Sequence, residues 1–456
     1  MLVRFDRGTL VLEPQHAGED PSRIPGAAWD AATHGWRVRA DQRLSVLGRL
    51  SDEGVRVSDE SDSHGSIRLA GTWSLPTLRE YQREAVARWI AHGRRGVVAL
   101  PTGSGKTLVA LAAIAELAVP TLVLVPTRVL LDQWARALAA AWSGPIGQLG
   151  DGEHVVHPIT VSTYVSAAAW MPSLGDRFGL VVVDEAHHVG ETCPAEVFEM
   201  LVAPARLGLT ATPPDSPALA HHVGPVVHAL GVADLESDAL APFDHEVIEV
   251  ELTRDERLRY RDARARFAPV YARFMRTLPN ASWREFVAKS RQTEQGRDAL
   301  AGWRDARTIV AYPAGKRAAL RELLARHTAH RTLVFTSDNA SAYAIARELL
   351  VAPITHEIRR DERARILERF AAGELRVLVS AKVLDEGFDV PEAEVAIVVG
   401  GTASTRTHVQ RIGRVLRPGP GKRARVYELA VAETTEIGYV ERRGAGLAPI
   451  ATGALP

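Results

Sequence analysis

The stretch "GVVALPTGSGKTLVALAAIAELA", Gly96 to Ala118, decides how the rest of the chain is read. An apolar run enters a Gly/Ser turn, and the turn opens a segment whose apolar residues recur at helical spacing, so strand, loop and helix follow one another. Gly103 and Gly105 let the backbone wrap a phosphate, while the freed amides and the helix N-terminus supply donors and a positive dipole. Thr102 and Ser104 complete the loop, Lys106 reaches toward terminal phosphates, and the Thr107 hydroxyl can ligate magnesium. A flexible Gly/Ser turn would explain the glycines, but not the strand before them and the helix after. Leu100 stands where the broad phosphate-loop pattern has its first Gly.

A phosphate loop calls for a second strand ending in a metal-holding carboxylate beside a group that orients water. "VVVDEAHHVG", Val181 to Gly190, supplies both: Asp184 would hold the metal with Thr107, and Glu185 would position or activate the attacking water. A zinc reading of this stretch needs two His at i and i+4 on one helical face, whereas His187 and His188 are neighbours expected to point apart. "LGLTATPP", Leu207 to Pro214, is a further buried strand, ending in the hydroxyls of Thr210 and Thr212.

These runs sit in a chain of 456 residues with 46% hydrophobic and 24% charged content, enough for several cores and an ordinary globular class. Lys+Arg and Asp+Glu both number 55, so any basic surface must be local, and only 5 of the cations are Lys. A lone cysteine, Cys193, excludes an intramolecular disulfide and a cysteine-built zinc cage; its expected role is a small apolar filler. No apolar run is long enough to span a bilayer and no secretory signal opens the chain, so the expected location is the cytoplasm, with no membrane partner.

Residues 1–72 read as a small β-rich module with alternating apolar residues and a Ser/Asp-rich linker. Over 73–236, buried strands alternate with helical segments, the grammar of a parallel α/β sheet, and that grammar returns within 237–456. Between the two α/β halves, at about 252–310, lies an Arg-rich segment without strand-like runs, expected to be helical. From Glu251 to Val310 it carries 14 Lys+Arg against 8 Asp+Glu, and its aromatics Tyr271, Phe274, Trp283 and Phe286 could stack on nucleic-acid bases or form the segment's own core. Residues 1–70 carry 9 Lys+Arg against 11 Asp+Glu, so protein docking competes with DNA reading as the module's role. In "THVQRIGRVLRPG", Arg411, Arg414 and Arg417 fall three apart on one helical face, which suits either a solvated surface or fingers that neutralise charge on a transferred phosphoryl group.

In order, "LREYQ", "PTGSGKT", "VPTRVLLDQW", "TVSTY", "DEAH", "TATP", "LVFTS", "VLDEGFDVP" and "QRIGRVLRP" resemble the motif series of superfamily 2 helicases over about Leu78 to Pro418. The small N-terminal module, the helical insertion and the phrasing of the last two motifs look like the XPB-type DNA repair helicases, especially the shorter prokaryotic branch. The resemblance implies two RecA-like parallel-sheet motor domains binding ATP and Mg2+, an N-terminal α+β module similar to a damage-recognition module, and a helical thumb that grips DNA. Matched residue by residue, Arg79 and Gln82 stand on the adenine side, and Gly387 and Asp389 on a loop facing the nucleotide. His187 and Gln410 match the pair linking the ATP cleft to the DNA path, Arg414 and Arg417 match the fingers, and Thr210 and Thr212 lie in the coupling motif. Arg128, Thr163 and Ser380 fall in motifs that touch the nucleic-acid backbone.

The implied activity is an ATP-dependent DNA helicase or translocase acting on forked or partly single-stranded DNA, working as a monomeric motor. An RNA helicase, or a nucleotide-gated scaffold for a partner nuclease, are the alternatives. One departure bears on mechanism: XPB-type proteins carry Arg-Glu-Asp shortly after "TAT", and this chain reads "TATPPDSPALAHHVG". The implied strand-separating wedge is missing or displaced, which favours translocation or remodelling of duplex DNA over unwinding.

Overall fold

A computed structural model describes residues 1–62, 67–150, 152–235, 241–381, 393–401 and 423–444. The chain divides into two compact units that meet at Asp234 and Leu235.

The first unit begins with five short strands, β1 (Leu2–Asp6), β2 (Thr9–Glu13), β3 (Ala28–Asp30), β4 (Gly35–Arg39) and β5 (Ser58–Glu60), and one helix, α1 (Arg43–Asp52). They form a sheet in the order β3-β4-β2-β1-β5, antiparallel except for the β1/β5 pair. Arg7 and Gly8 join β1 to β2 with φ of 49° and 81°, the two positive values that a tight two-residue hairpin turn requires. Gly8 is also needed for space, since a Cβ there would lie 2.6 Å from Met200 Cγ. Val3, Leu10, Leu12, Val38, Val46 and Leu50 form the module's core, to which Val202 of the following domain contributes, and Arg39 reaches Glu199 at 3.1 Å. The module is thus packed onto its neighbour by a shared apolar cluster, a close backbone approach and an ion pair.

That neighbour is an eight-stranded sheet. Its elements are α2 (Glu80–Ala91), β6 (Arg95–Ala99), α3 (Lys106–Leu117), β7 (Thr121–Val125), α4 (Arg128–Ala141), β8 (Ile146–Gly150), β9 (Glu153–Val155), β10 (Ile159–Thr163), α5 (Tyr164–Leu174), β11 (Leu180–Val183), α6 (Ala195–Glu199), β12 (Ala205–Thr210), α7 (Pro217–His222) and β13 (Val226–Ala229). Strand order is β13-β6-β12-β11-β7-β10-β8-β9, parallel apart from the β8/β9 hairpin. β7, β10, β11 and β12 are buried along their whole length, which is why they read as unbroken apolar runs rather than alternations: helices cover both faces of a parallel sheet. The order brings the ends of β6, β12 and β11 side by side, so the phosphate loop, "TAT" and "DEAH" occupy one edge although more than a hundred residues separate the phosphate loop from "TAT".

The second unit holds β14 (Phe243–Val250), then α8 (Arg254–Thr277), α9 (Trp283–Ser290) and α10 (Glu294–Ala311), then α11 (Ala314–Arg326), β15 (Thr332–Phe335), α12 (Asn339–Leu349), β16 (Ala352–Ile354), α13 (Arg360–Ala371), β17 (Val377–Ser380), β18 (Val395–Val398), β19 (Ala424–Val431) and α14 (Thr435–Gly444). Its six strands run parallel in the order β14-β19-β18-β15-β17-β16. β14 belongs to this sheet, so the Arg-rich helices are an insertion between its first strand and the rest. Thr253 and Ser282 start α8 and α9 with capping boxes closed by Glu256 and Glu285. Phe267, Phe286 and Leu300 pack at the insertion's centre with Tyr271, Phe274 and Trp303 against them. Of the aromatics with two readings, Tyr271, Phe274 and Phe286 therefore build the insertion's core, while Trp283 is 39% exposed.

Candidate nucleotide site and coupling residues

Gly105, with φ of 83°, caps α3 in the left-handed region, and Gly103 adopts φ of 89°; this backbone turns the loop amides inward. The loop is braced from α2. Gln82, only 3% exposed, donates from Nε2 to Ser104 O at 2.9 Å and accepts from Arg79 N at 3.0 Å, and the Tyr81 hydroxyl donates to the same Ser104 carbonyl. A Cβ at Gly105 would lie 2.6 Å from Gln82 Nε2, so the brace and the glycine require each other. Gln82, matched to the adenine side, here spends its amide on the loop itself. Ser104 is buried and turns its hydroxyl to Pro101 O at 2.7 Å. Lys106 Nζ donates to Leu100 O at 3.0 Å and Pro101 O at 3.3 Å, folded over carbonyls at the head of the loop.

Asp184 is buried at the end of β11. Its Oδ2 accepts from the Trp134 indole at 2.8 Å and its Oδ1 accepts from Glu185 N at 3.0 Å. Burial pushes this carboxyl above the usual range, against the pull of the Trp134 bond and of the Lys106 charge. Lys106, on the loop after β6, and Asp184, after β11, thus share one electrostatic site. Glu185 holds φ of 50°, a left-handed conformation costing a non-glycine residue about 1–3 kcal/mol, which directs the chain into the short turn Ala186–His188.

The next links run through His187 and Thr210, both buried. His187 Nδ1 lies 3.2 Å from Thr210 Oγ1 and 3.3 Å from Glu185 Oε2. Thr210 Oγ1 donates to Thr212 O and accepts from Thr212 N, each at 3.2 Å. With the hydroxyl hydrogen directed to Thr212 and a carboxylate able only to accept, Nδ1 of His187 carries its ring proton. Leu100 N donates to Thr210 O at 3.0 Å, closing the circuit back to the phosphate loop. The His187 and His188 rings do not point apart: their centroids are 4.2 Å apart at 41°, because the short turn replaces the helix on which neighbours would diverge.

Thr107 is half-buried on the first turn of α3. Arg128 is exposed at the start of α4. Thr163 caps α5, accepting from Ser166 N at 3.2 Å, on the same edge of the sheet as the phosphate loop. Ser380 ends β17 in the second unit and is fully buried. Gly387, Asp389, Gln410, Arg414 and Arg417 lie outside the described residues. Two contributors escaped the sequence reading, Trp134 and Tyr164, whose hydroxyl donates to the Asp184 carbonyl and, at 3.3 Å, to that of Glu185. Both look like core aromatics in sequence, and only the fold aims their polar tips at the "DEAH" turn.

Known proteins resemble this chain in sequence and fold. The family descriptions "Xeroderma pigmentosum group B helicase damage recognition domain", "Type III restriction enzyme, res subunit" and "Helicase conserved C-terminal domain" match residues 3–60, 75–215 and 315–419. A relative from Sulfurisphaera tokodaii, named DNA 3'-5' translocase XPB2, is 35% identical over 97% of this chain and 99% of its own length. The Mycobacterium tuberculosis protein named DNA 3'-5' helicase XPB is 31% identical over 97% of this chain and 72% of its own. Among solved structures, the Pyrococcus furiosus Hef helicase domain matches with a TM-score of 0.53 at 20% identity, covering 80% of this chain and 97% of that one, a likeness of fold.

Proposed function

The chain belongs to the XPB family of DNA helicases, and from that premise we propose that it is an ATP-driven DNA translocase and helicase of DNA repair, moving in the 3'-5' sense for which its relatives are named. The observation that carries the reading is the continuous chain Lys106–Asp184–Glu185–His187–Thr210–Thr212, which ties the phosphate loop to the turn after β12 within one sheet edge.

The residues fit the nucleotide and its metal. Two left-handed glycines shape a turn at the N-terminus of α3, Lys106 and Thr107 open that helix, and the buried carboxyl of Asp184 feels the Lys106 charge. Lys106 and the loop amides of Thr102 to Thr107 would hold phosphate oxygens, and Thr107 with Asp184 would hold Mg2+, which neutralises charge on the phosphates when bound. Glu185 orients and deprotonates the attacking water. Its contact to His187 gives a route by which a change at Glu185 is felt at Thr210. Arg79, Gly387, Asp389, Gln410, Arg414 and Arg417 belong to the same proposal as nucleotide-facing groups, and Arg128 and Thr163 as contacts to the DNA backbone, whereas the fully buried Ser380 has no hydroxyl at the surface to offer it.

Within this reading the N-terminal module works as a docked strut more than as a phosphate reader. Arg4, Arg23, Arg37, Arg39, Arg43 and Arg49 are each within ion-pair distance of a carboxylate, which leaves few cations to release counterions from DNA. The test is nucleic-acid-stimulated ATP hydrolysis paired with strand displacement on forked DNA. Hydrolysis should rise on adding DNA and collapse in Lys106→Ala, and hydrolysis indifferent to DNA would overturn the proposal. Translocation without strand displacement is the outcome favoured by the absence of Arg-Glu-Asp after "TAT". A monomeric motor that hands its DNA to a nuclease completes the proposal; sizing by light scattering tests the first part and co-purification with the nuclease the second.

A further inference from the structure

Zinc was set aside at His187 and His188, yet a second His pair closes α7. One ring nitrogen each of His221 and His222 and one carboxylate oxygen of Asp41 lie within 4.8 Å of one another. Asp41 comes from the short turn Ala40–Gln42 of the N-terminal module, and the two His come from the adjoining motor domain, so the trio straddles the joint between them. We propose that Asp41, His221 and His222 form a binding site for a divalent transition-metal ion of the zinc class that staples the N-terminal module to the first motor domain.

Four observations support it. His222 is 6% exposed, and its Nδ1 has no hydrogen-bond partner among the described residues, an arrangement that buried polar atoms rarely keep without a ligand. His221 and His222 are the last two residues of α7, where the helix stops, and their ring centroids stand 4.8 Å apart at 76°, so these neighbours do not diverge as they would in a helix interior. Ligand distances of about 2.0–2.2 Å place tetrahedral ligand atoms roughly 3.4 Å from each other, so donor atoms now within 4.8 Å need to close by at most about 1.4 Å, which rotation of the exposed His221 supplies. His221 is exposed, which gives the ion an entry path and leaves room for a water as the fourth ligand.

The donor set selects the metal class. Two imidazoles and one carboxylate suit zinc and its neighbours, whereas magnesium and calcium call for oxygen ligands. Three guanidiniums lie nearby, and each already has a task. Arg39 holds Asp41 with two bonds of 3.1 and 3.0 Å and thereby orients the carboxylate, leaving a lone pair on each oxygen for the ion. Arg95 and Arg206 donate to the carbonyls of His221 and His222 at the end of α7, Arg206 at 2.6 Å and Arg95 at 3.4 and 3.3 Å. Phe198 stacks on the His222 ring at 5.5 Å and fixes its plane. Because α7 follows directly on the Thr210–Thr212 turn, the ion would fasten the module to the element next to the coupling residues.

The test uses the full chain stripped with EDTA and equilibrated with buffered Zn2+, and separately with Co2+. Wild type should bind one Zn2+ more per chain than His221→Ala, gain melting temperature on zinc addition, and give the intense visible absorption of four-coordinate Co2+. His221→Ala, altered at an exposed position, should melt like wild type in EDTA, bind zinc at least tenfold more weakly, and lose both the cobalt signal and the thermal gain. Asp41→Asn should behave likewise and guards against a folding effect of either variant. Equal zinc stoichiometry and equal cobalt spectra in wild type and His221→Ala would overturn the proposal, as would a wild type that binds no zinc.

Discussion

Trp134→Phe removes one hydrogen bond from the proposed metal-holding carboxylate while keeping an aromatic ring in the core. The indole donates to Asp184 Oδ2 at 2.8 Å, and both side chains are buried. A hydrogen bond to a charged group contributes about 1.5–3 kcal/mol. Burial already holds the Asp184 carboxyl above its ordinary value, with the Trp134 bond and the Lys106 charge opposing that rise. Losing the bond raises it further, so the loss of activity on acidification should begin at higher pH. The same energy predicts a roughly 10–100-fold weaker apparent Mg2+ affinity, the usual effect of removing a group that orients a metal-binding carboxylate. The smaller ring also costs about 1–2 kcal/mol of stability through the cavity it leaves. The assay is DNA-stimulated ATP hydrolysis titrated with Mg2+ at fixed ATP, repeated across pH 5 to 8. A cooperatively folding Trp134→Phe protein with unchanged half-saturating Mg2+ and an unmoved acid limb would refute the role given to this bond.

Two further outcomes concern stability. Lys316 is fully buried and its Nζ meets both oxygens of the partly buried Glu436 at 2.9 and 2.8 Å, so Lys316→Met should cost at most about 3 kcal/mol by removing the carboxylate's cation, and adding Glu436→Gln should recover much of it in urea unfolding. His228 is buried with neither ring nitrogen bonded among the described residues, and burial, against the opposing Glu84 charge and with the help of Arg88, leaves its imidazole below the ordinary 6.5. Since the unfolded chain takes up that proton first, the stability present above pH 6.5 is lost as pH falls below it; His228→Leu should be at least as stable at pH 7.5 and lose less between pH 7.5 and 5.5.

The proposed nucleotide site was legible in sequence because its pattern is local. A strand, a glycine loop and a lysine at the head of a helix lie within a dozen residues, and Asp184 and Glu185 directly follow a buried strand. Parallel strands covered on both faces must be apolar throughout, so sequence also located the two α/β halves and the insertion that separates them. Sequence could not say which groups meet across elements. Trp134 reaches Asp184 across 50 residues, Gln82 braces a loop 22 residues away, and the neighbours His187 and His188 face together because a short turn, not a helix, carries them. Periodicity reports which face of an element is buried, whereas hydrogen-bond partners depend on strand order and on the rotamers that packing allows. The same reason hid the Asp41, His221 and His222 cluster: about 180 residues of chain separate its two halves, and only the docking of the N-terminal module on the motor brings them into one place.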